Sequence, residues 1–326
     1  MNILIFILLT LIWGGSFITI KFSVMEIPPY LAASLRIMTA LTFLVALRFI
    51  LYTKYSFRGI RKTIPFSILV GIFNLGIPWC CLFWGERYTS PALASIINGS
   101  YPIWVLLLCL VFKIEEVTQT KIFAVILGFI GIMTIFLPKI QLGLTNNLNG
   151  ALAILGMAIS YGIAAAILKK FSANILTLPN LIIQCISGLF VTVPASYYFE
   201  FERWHELLGA STKAIGSVLY LGIFSTAIAI LLYFRLFKEI GAIRASYITF
   251  CIPFVSILLD IFVLRIPTTM YEVTGLIIIL SGIIVNHYFD IRNRKKEALL
   301  LNRVAFSEVD AVGERGSLFT DEMTDQ

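Results

Sequence analysis

Apolar runs of about twenty residues, parted by short polar or charged joints, recur from the first residues to about position 290. A helix rising ~1.5 Å per residue needs a run of that length to cross ~30 Å of hydrocarbon. The pattern predicts spans near residues 3–23, 30–52, 64–84, 91–112 and 121–138, then 148–168, 177–198, 214–236, 243–264 and 271–289. The expected fold is therefore an all-α integral membrane protein of ten transmembrane helices, each closing its backbone hydrogen bonds internally because lipid offers no partners. The third and fourth spans are expected to meet in a tight junction from Gly85 to Ser90.

Lysine and arginine set the orientation. With the N-terminus in the cytoplasm, the connections on that side hold Lys54, Arg58, Arg61, Lys62, Lys113, Lys121, Lys169, Lys170, Arg235, Lys238 and Arg244. The opposite loops hold Arg87, Lys139, Arg203, Lys213 and Arg265, so both ends of the chain are expected inside. The first run, Ile3 to Val24, carries Lys21 only at its far end and lacks the early positive charge of a signal peptide, so it reads as a retained span. Residues 290–326 turn polar and acidic and are expected to form a disordered cytoplasmic tail.

Self-similarity organises the rest. An offset of 151 aligns Gly71-Ile72-Phe73 with Gly222-Ile223-Phe224, Ala94-Ser95 with Ala245-Ser246, Pro102 with Pro253 and Gly131 with Gly282. An offset of 148 pairs Trp13-Gly14 with Tyr161-Gly162, Lys21 with Lys169 and Arg36 with Gln184. The expected organisation is a first five-helix repeat over 1–138, a periplasmic linker over 139–147 and a second repeat over 148–289. Because five is odd, the second copy enters the membrane from the other side. Two inverted halves can exchange conformations about a site between them, which favours transport by alternating access.

Paired helix interruptions point to that site, since freed backbone groups are tolerated in a membrane only beside protein or water. Asn98-Gly99-Ser100-Tyr101-Pro102 and Thr249-Phe250-Cys251-Ile252-Pro253 are such a pair, with Pro102 and Pro253 as the breaks. Ser246, Thr249, Pro253, Ser256 and Asp260 follow helical spacing and form one polar lane. Asp260 reads as the only carboxylate well inside a helix, and Arg36 lies at similar depth; intramembrane charge marks function by default. Arg36 is expected either to bind an anionic substrate group or to pair with Asp260; a permanent structural ion pair is the other reading. Among the aromatics, Trp79, Tyr101, Tyr220 and Tyr247 read as interface anchors or cavity walls, whereas Trp13 and Tyr161 occupy equivalent mid-helix places before a glycine. The expected substrate cavity is Trp13, Ser16, Arg36, Asn74, Asn98, Tyr101, Tyr161, Gln184, Ser225, Ser246, Thr249, Ser256 and Asp260.

Composition agrees. The 326 residues are 59% hydrophobic and 13% charged, with a mean hydropathy of +0.93, against ~25% charged in soluble domains. The net charge of +7 sits in the short joints, where topology places it, so no nucleic-acid partner is expected. The five cysteines lie in apolar runs without metal-ligand spacing, and His205 and His287 are far apart in depth. No phosphate loop, nucleophile elbow or zinc-binding helix pattern occurs. The expectation is no metal, no cofactor, no catalytic residue and no ATP coupling in this chain. A lipid-acting enzyme or a passive channel are the alternatives; the partners expected are a small-molecule substrate and the bilayer, in a monomer or homodimer.

Leu11-Ile12-Trp13-Gly14-Gly15-Ser16-Phe17, Leu35-Arg36, Tyr88-Thr89-Ser90-Pro91-Ala92-Leu93-Ala94-Ser95 with Pro102, and Gly241-Ala242-Ile243-Arg244-Ala245-Ser246-Tyr247 with Pro253 resemble the EamA-like drug/metabolite transporters. The resemblance covers about 290 residues. It implies ten helices in two inverted repeats in the bacterial inner membrane, a cavity between helices 1–4 and 6–9, and ATP-independent export or exchange of amino acids and related metabolites. Some similar proteins import a host metabolite such as S-adenosylmethionine in exchange for a product, which the resemblance leaves as the alternative. The family's Gly-Glu pair after the fourth and ninth helices is approximated here by Glu115 and Glu116, but Arg265-Ile266-Pro267 replaces the second.

Overall fold

The computed structural model describes residues 2–50, 60–89, 91–141, 148–175 and 178–252, and, further on, 254–255, 270–271, 273–275, 277–285, 288–289 and 292. The described residues are helical apart from short turns. Among the described residues, six helices are long and apolar enough to cross a membrane. They are α1 (Asn2–Val24), α2 (Pro29–Ile50), α3 (Ile64–Tyr88), α6 (Leu148–Ile175), α7 (Leu178–Glu200) and α8 (Thr212–Ile240). Between them run α4, split into Pro91–Asn98 and Tyr101–Val111, and α5 (Gln119–Gln141). Two shorter apolar helices follow, α9 (Ala242–Ile252) and α10 (Val273–Val285).

The surface is inverted relative to a water-soluble protein. Leu4, Phe190, Tyr198 and Ile277 are each more than half exposed, while Arg36, Glu86, Asn98, Asn180 and Gln184 are buried. That arrangement is stable only where the solvent is itself apolar.

Local chemistry explains where the helices stop and bend. α3 runs into the expected junction, as far as Tyr88, because its terminal carbonyls find donors: the Lys21 ammonium donates to the carbonyls of Glu86 (2.6 Å) and Thr89 (3.0 Å). A cation at a helix C-terminus satisfies orphan acceptors and complements the dipole. Glu86 thereby lies inside a helix, which corrects the expectation that Asp260 was the sole such carboxylate. The break in α4 falls at Gly99-Ser100, before Pro102, as expected. In α9 the turn instead falls at Tyr247, and residues 248–252 are helical. Pro253, Ser256 and Asp260 lie outside the described residues.

α3 and α8 each contain a π-helical stretch, Ile72–Gly76 and Ile223–Ile228, at the 151-residue offset. The consequence is directional. In an α-helix, residues five apart point about 140° away from one another, but across an i→i+5 turn they share a face. Asn74 and Trp79, and likewise Ser225 and Ile230, can therefore face one cavity.

Glycine contacts are reciprocal across the chain. A Cβ on Gly71 of α3 would fall 2.4 Å from the Gln184 carbonyl and 1.8 Å from Ser187 Oγ on α7. One on Gly222 of α8 would meet Thr39 at 2.5 Å and the Arg36 carbonyl at 2.9 Å on α2. Arg36 and Thr39 are the positions 148 before Gln184 and Ser187. In the same way Gly14 packs on Val255, and Gly162 on Trp104.

Candidate functional site

A cavity of about 100 Å³ sits at the centre of the bundle, where α1, α2, α3, α4, α6, α8 and α9 converge. Six pairs of its lining residues are related by the two offsets: Trp13 with Tyr161, Asn74 with Ser225, Trp79 with Ile230, Leu82 with Tyr233, Asn98 with Thr249, and Tyr101 with Ile252. Ser16, Phe17, Arg36, Met157 and Ala245 complete the wall.

Arg36 is the cavity's charge. It is 4% exposed; its guanidinium lies 3.9 Å from the centre of the Trp79 ring, and Nε donates to Thr226 Oγ1 at 2.9 Å. Thr226 Oγ1 in turn donates to the Leu221 carbonyl at 2.9 Å, five residues back. The π stretch in α8 thus leaves a carbonyl that orients a hydroxyl, and the hydroxyl orients the arginine. Among the described residues no carboxylate lies within ion-pairing distance of Arg36. The cation is held by ring and hydroxyl at the cavity wall.

The aromatic wall is hydrogen-bonded across the bundle. Trp79 Nε1 donates to Tyr161 Oη at 2.9 Å, Trp13 Nε1 to the Ser225 carbonyl at 3.1 Å, and the Tyr101 and Tyr233 hydroxyls meet at 3.1 Å. Each bond joins the first 138 residues to the second stretch. Rings fixed in this way present flat apolar faces with polar tips, suited to a small amphipathic molecule.

Both ends of the bundle are clasped by carboxylates on helix N-termini, where backbone N–H groups favour negative charge. At one end Glu115 accepts from the Ala242 N–H (2.8 Å), opening α9, and pairs with Lys121 (3.0 Å) and Lys169 (3.5 Å). At the other, Glu26 accepts from the Ser211 N–H (2.6 Å) and hydroxyl (2.8 Å), before α8. Glu200 accepts from the Leu31 N–H (3.0 Å) at the start of α2.

Of the residues expected at the site, Trp13, Ser16, Arg36, Asn74, Asn98, Tyr101, Tyr161, Ser225 and Thr249 come together in the wall. Gln184 and Ser246 do not. Gln184 is packed beneath Gly71 of α3, and Ser246 Oγ donates back to the Ile243 carbonyl at 2.6 Å within its own helix. Tyr220 and Tyr247 also stand outside the wall, whereas Tyr233, Trp79 and Met157 belong to it. Tyr233 was legible in principle as the position 151 after Leu82, but only once the π stretch in α8 is known. Among the described residues, no three His, Cys, Asp or Glu side chains gather where a metal could sit.

The model of the EamA-like transporter family matches residues 1–137 and again 148–288. The chain belongs to the EamA-like transporter family. Relatives span it nearly end to end. An uncharacterized transporter of Archaeoglobus fulgidus is 31% identical over 273 residues, covering 84% of this chain and 94% of that one. An uncharacterized transporter from the trpA 3' region of Buchnera aphidicola subsp. Schlechtendalia chinensis is 29% identical over 293 residues, covering 89% and 94%. Protein PagO of Salmonella typhimurium is 23% identical over 280 residues, covering 86% and 90%. A crystal structure with a TM-score of 0.69 and 17% identity covers 88% of this chain and 97% of its own, and shares the fold. This EamA-like chain is a multi-pass membrane transporter, and its central cavity is the candidate site of passage.

Proposed function

We propose that the chain is a secondary carrier for amino acids or closely related zwitterionic metabolites, working by alternating access as exporter or exchanger in the bacterial inner membrane, with both termini in the cytoplasm. The architecture behind this reading is ten spans in two inverted five-helix halves. The paired cavity residues, the matched π stretches and the exchanged glycine contacts support it, because a site built from equivalent positions of two halves is equally suited to opening on either side.

The observation that carries the cargo class is Arg36. A guanidinium that is buried and, among the described residues, has no carboxylate within ion-pairing distance is costly in a membrane protein, and a carboxylate-bearing cargo offsets that cost when it enters. The aromatic wall accommodates an apolar or ammonium-bearing remainder. A cavity of about 100 Å³, against ~300–1,000 Å³ for sites that hold drug-sized ligands, favours an amino-acid-sized cargo over a nucleoside-type one.

Counterflow in proteoliposomes tests the reading. Vesicles preloaded with an unlabelled L-amino acid are expected to accumulate the labelled form transiently above its external concentration. A channel equilibrates label without overshoot, and an enzyme converts it; either outcome, across the standard amino acids and nucleosides, overturns the carrier reading.

A further inference from the structure

Glu86 is the one fully buried carboxylate among the described residues whose two oxygens both lack a hydrogen-bond partner. It sits on the face of α3 that carries Trp79, Leu82 and Phe83, at helical spacing. Trp79 and Leu82 line the cavity, Phe83 lies 5.9 Å from the Arg36 guanidinium, and Glu86 follows about one turn beyond. An unsatisfied group in a native interior requires a reason.

The neighbouring helices supply few candidates for a permanent partner. Lys21 comes from α1, Tyr30 and Arg36 from α2, Tyr161 from α6 and Glu200 from α7, while the described part of α4 up to Asn98 carries no titratable side chain. Lys21 and Arg36 are the ones that act electrostatically on Glu86. Each is committed elsewhere: the ammonium to the carbonyls of Glu86 and Thr89, and the guanidinium to Thr226 and Trp79. A structural ion pair would show contact, and a metal cation would need a ring of oxygen ligands away from two positive side chains. Neither describes this site.

We propose that Glu86 is a proton-binding site that couples cargo to protons, and that proton and anionic cargo group travel together, outward where the cargo gradient exceeds the proton gradient and inward where it does not. The inference rests on the carrier reading above. Arg36 favours the ionised carboxylate; a cargo carboxylate arriving at Arg36 cancels that field, after which a proton from water on the open side joins the Glu86 carboxylate to give the neutral acid. By linkage each of the two favours binding of the other. The loaded centre then carries Arg36, the cargo carboxylate and a neutral Glu86 through the closed state, with no unpaired carboxylate left dry.

Infrared spectroscopy of the protein in bilayers tests the site without any cargo. As the pH falls from neutral toward about 4.3, where exposed carboxyls begin to take up protons, a protonated-carboxyl C=O band is expected to grow in ahead of those groups in the wild type and to be absent from Glu86→Gln. Glu86→Asp is the control for folding: with carboxyl-13C glutamate incorporated, the isotope-shifted band disappears while an unshifted aspartic-acid band replaces it. The same bands in all three proteins overturn the proposal. In vesicles, using the amino acid that shows counterflow, the ratio of accumulation driven by an inward pH gradient to counterflow is expected to fall about tenfold or more in E86Q. A ratio at wild-type level in E86Q, or proton movement opposite to cargo, also overturns it. Absence of counterflow in the wild type sinks the carrier reading instead, and leaves the infrared result to stand or fall by itself.

Discussion

The two halves of the molecule line the cavity with equivalent positions, yet they differ at the position that carries charge. Arg36 on α2 and Gln184 on α7 stand 148 residues apart, and both are buried. Arg36 reaches the cavity, stacked on Trp79 and bonded to Thr226. Gln184 stays beneath Gly71, and neither its amide oxygen nor its nitrogen finds a partner among the described residues. A symmetric frame thus holds an asymmetric wall: matched helices give the two halves equivalent packing, and among the described residues only the first half brings a cation to the cavity. A second contrast agrees. Glu115 clasps the N–H of Ala242, but the equivalents 151 residues away in either direction are Ile266 and Pro91. Proline has no N–H to donate, so a matching clasp has neither its acceptor in the second half nor its donor in the first.

The sharpest way to break this comparison is to exchange the chemistry of the two positions. Arg36→Gln makes the halves alike and is expected to cut counterflow by about 30- to 4,000-fold, the range for truncating one partner of a buried charge pair (about 2–5 kcal/mol). Gln184→Leu is expected to leave counterflow within about two-fold and to raise the melting temperature slightly, because it removes an unsatisfied buried amide. Loss of transport in both variants would mean that the helices, not the cation, carry the difference.

Packing is the next largest effect, and here the halves should behave alike. Gly71→Ala and Gly222→Ala each force a methyl against a neighbouring carbonyl or side chain, and overpacking of that kind costs about 1–3 kcal/mol. Thermal unfolding in detergent is expected to show both destabilised, Gly71→Ala more so because its contact with the Gln184 carbonyl is closer. A neutral Gly222→Ala beside a damaging Gly71→Ala would mean that the two helix pairs do not pack equivalently.

These contrasts show what the chain makes legible before folding. Apolar runs and repeated Gly, Pro and Trp positions mark the helices, the offsets and nine of the cavity residues, because lipid solvation and close packing are read directly from residue type and spacing. Glu86 stayed hidden because it falls in a junction whose helix continues only when Lys21, 65 residues earlier, caps it. Tyr233 needed the π stretch in α8, which shifts register by a residue without any sequence mark, whereas Trp79, read as an anchor or a cavity wall, lines the cavity. Gln184 followed its symmetry into the expected site, but a long-range contact with α3 holds it away. The misses at Glu86 and Gln184 turn on tertiary contacts and not on a local pattern.

Glu115→Gln tests the clasp that only the first half provides. Glu115 and Lys121 have side chains 9% and 7% exposed, so the pair is worth more than a surface ion pair. Losing it is expected to favour opening at that end. Cys109, buried near the end of α4, reports this: its labelling by a membrane-permeant maleimide, read by peptide mass spectrometry, should rise about fivefold or more. Unchanged labelling would mean that the Ala242 contact alone holds the closure.

The smallest expected effect belongs to the Glu26 clasp at the other end, which is fully solvent-exposed. The Ser211 N–H, then its hydroxyl, hold the Glu26 carboxyl below its ordinary range. A carboxyl depressed in the folded state contributes stability above its unfolded value, and that contribution fades as pH falls through the folded one. The melting temperature of Glu26→Gln should therefore lie slightly below wild type at neutral pH, and the gap should close as the pH drops below the usual glutamate value of about 4.3. High salt should narrow it too, since exposed charge is screened. If the gap instead stayed constant with pH, the two ends would be held by packing alone, and the contrast between a buried clasp and a wet one would lose its electrostatic basis.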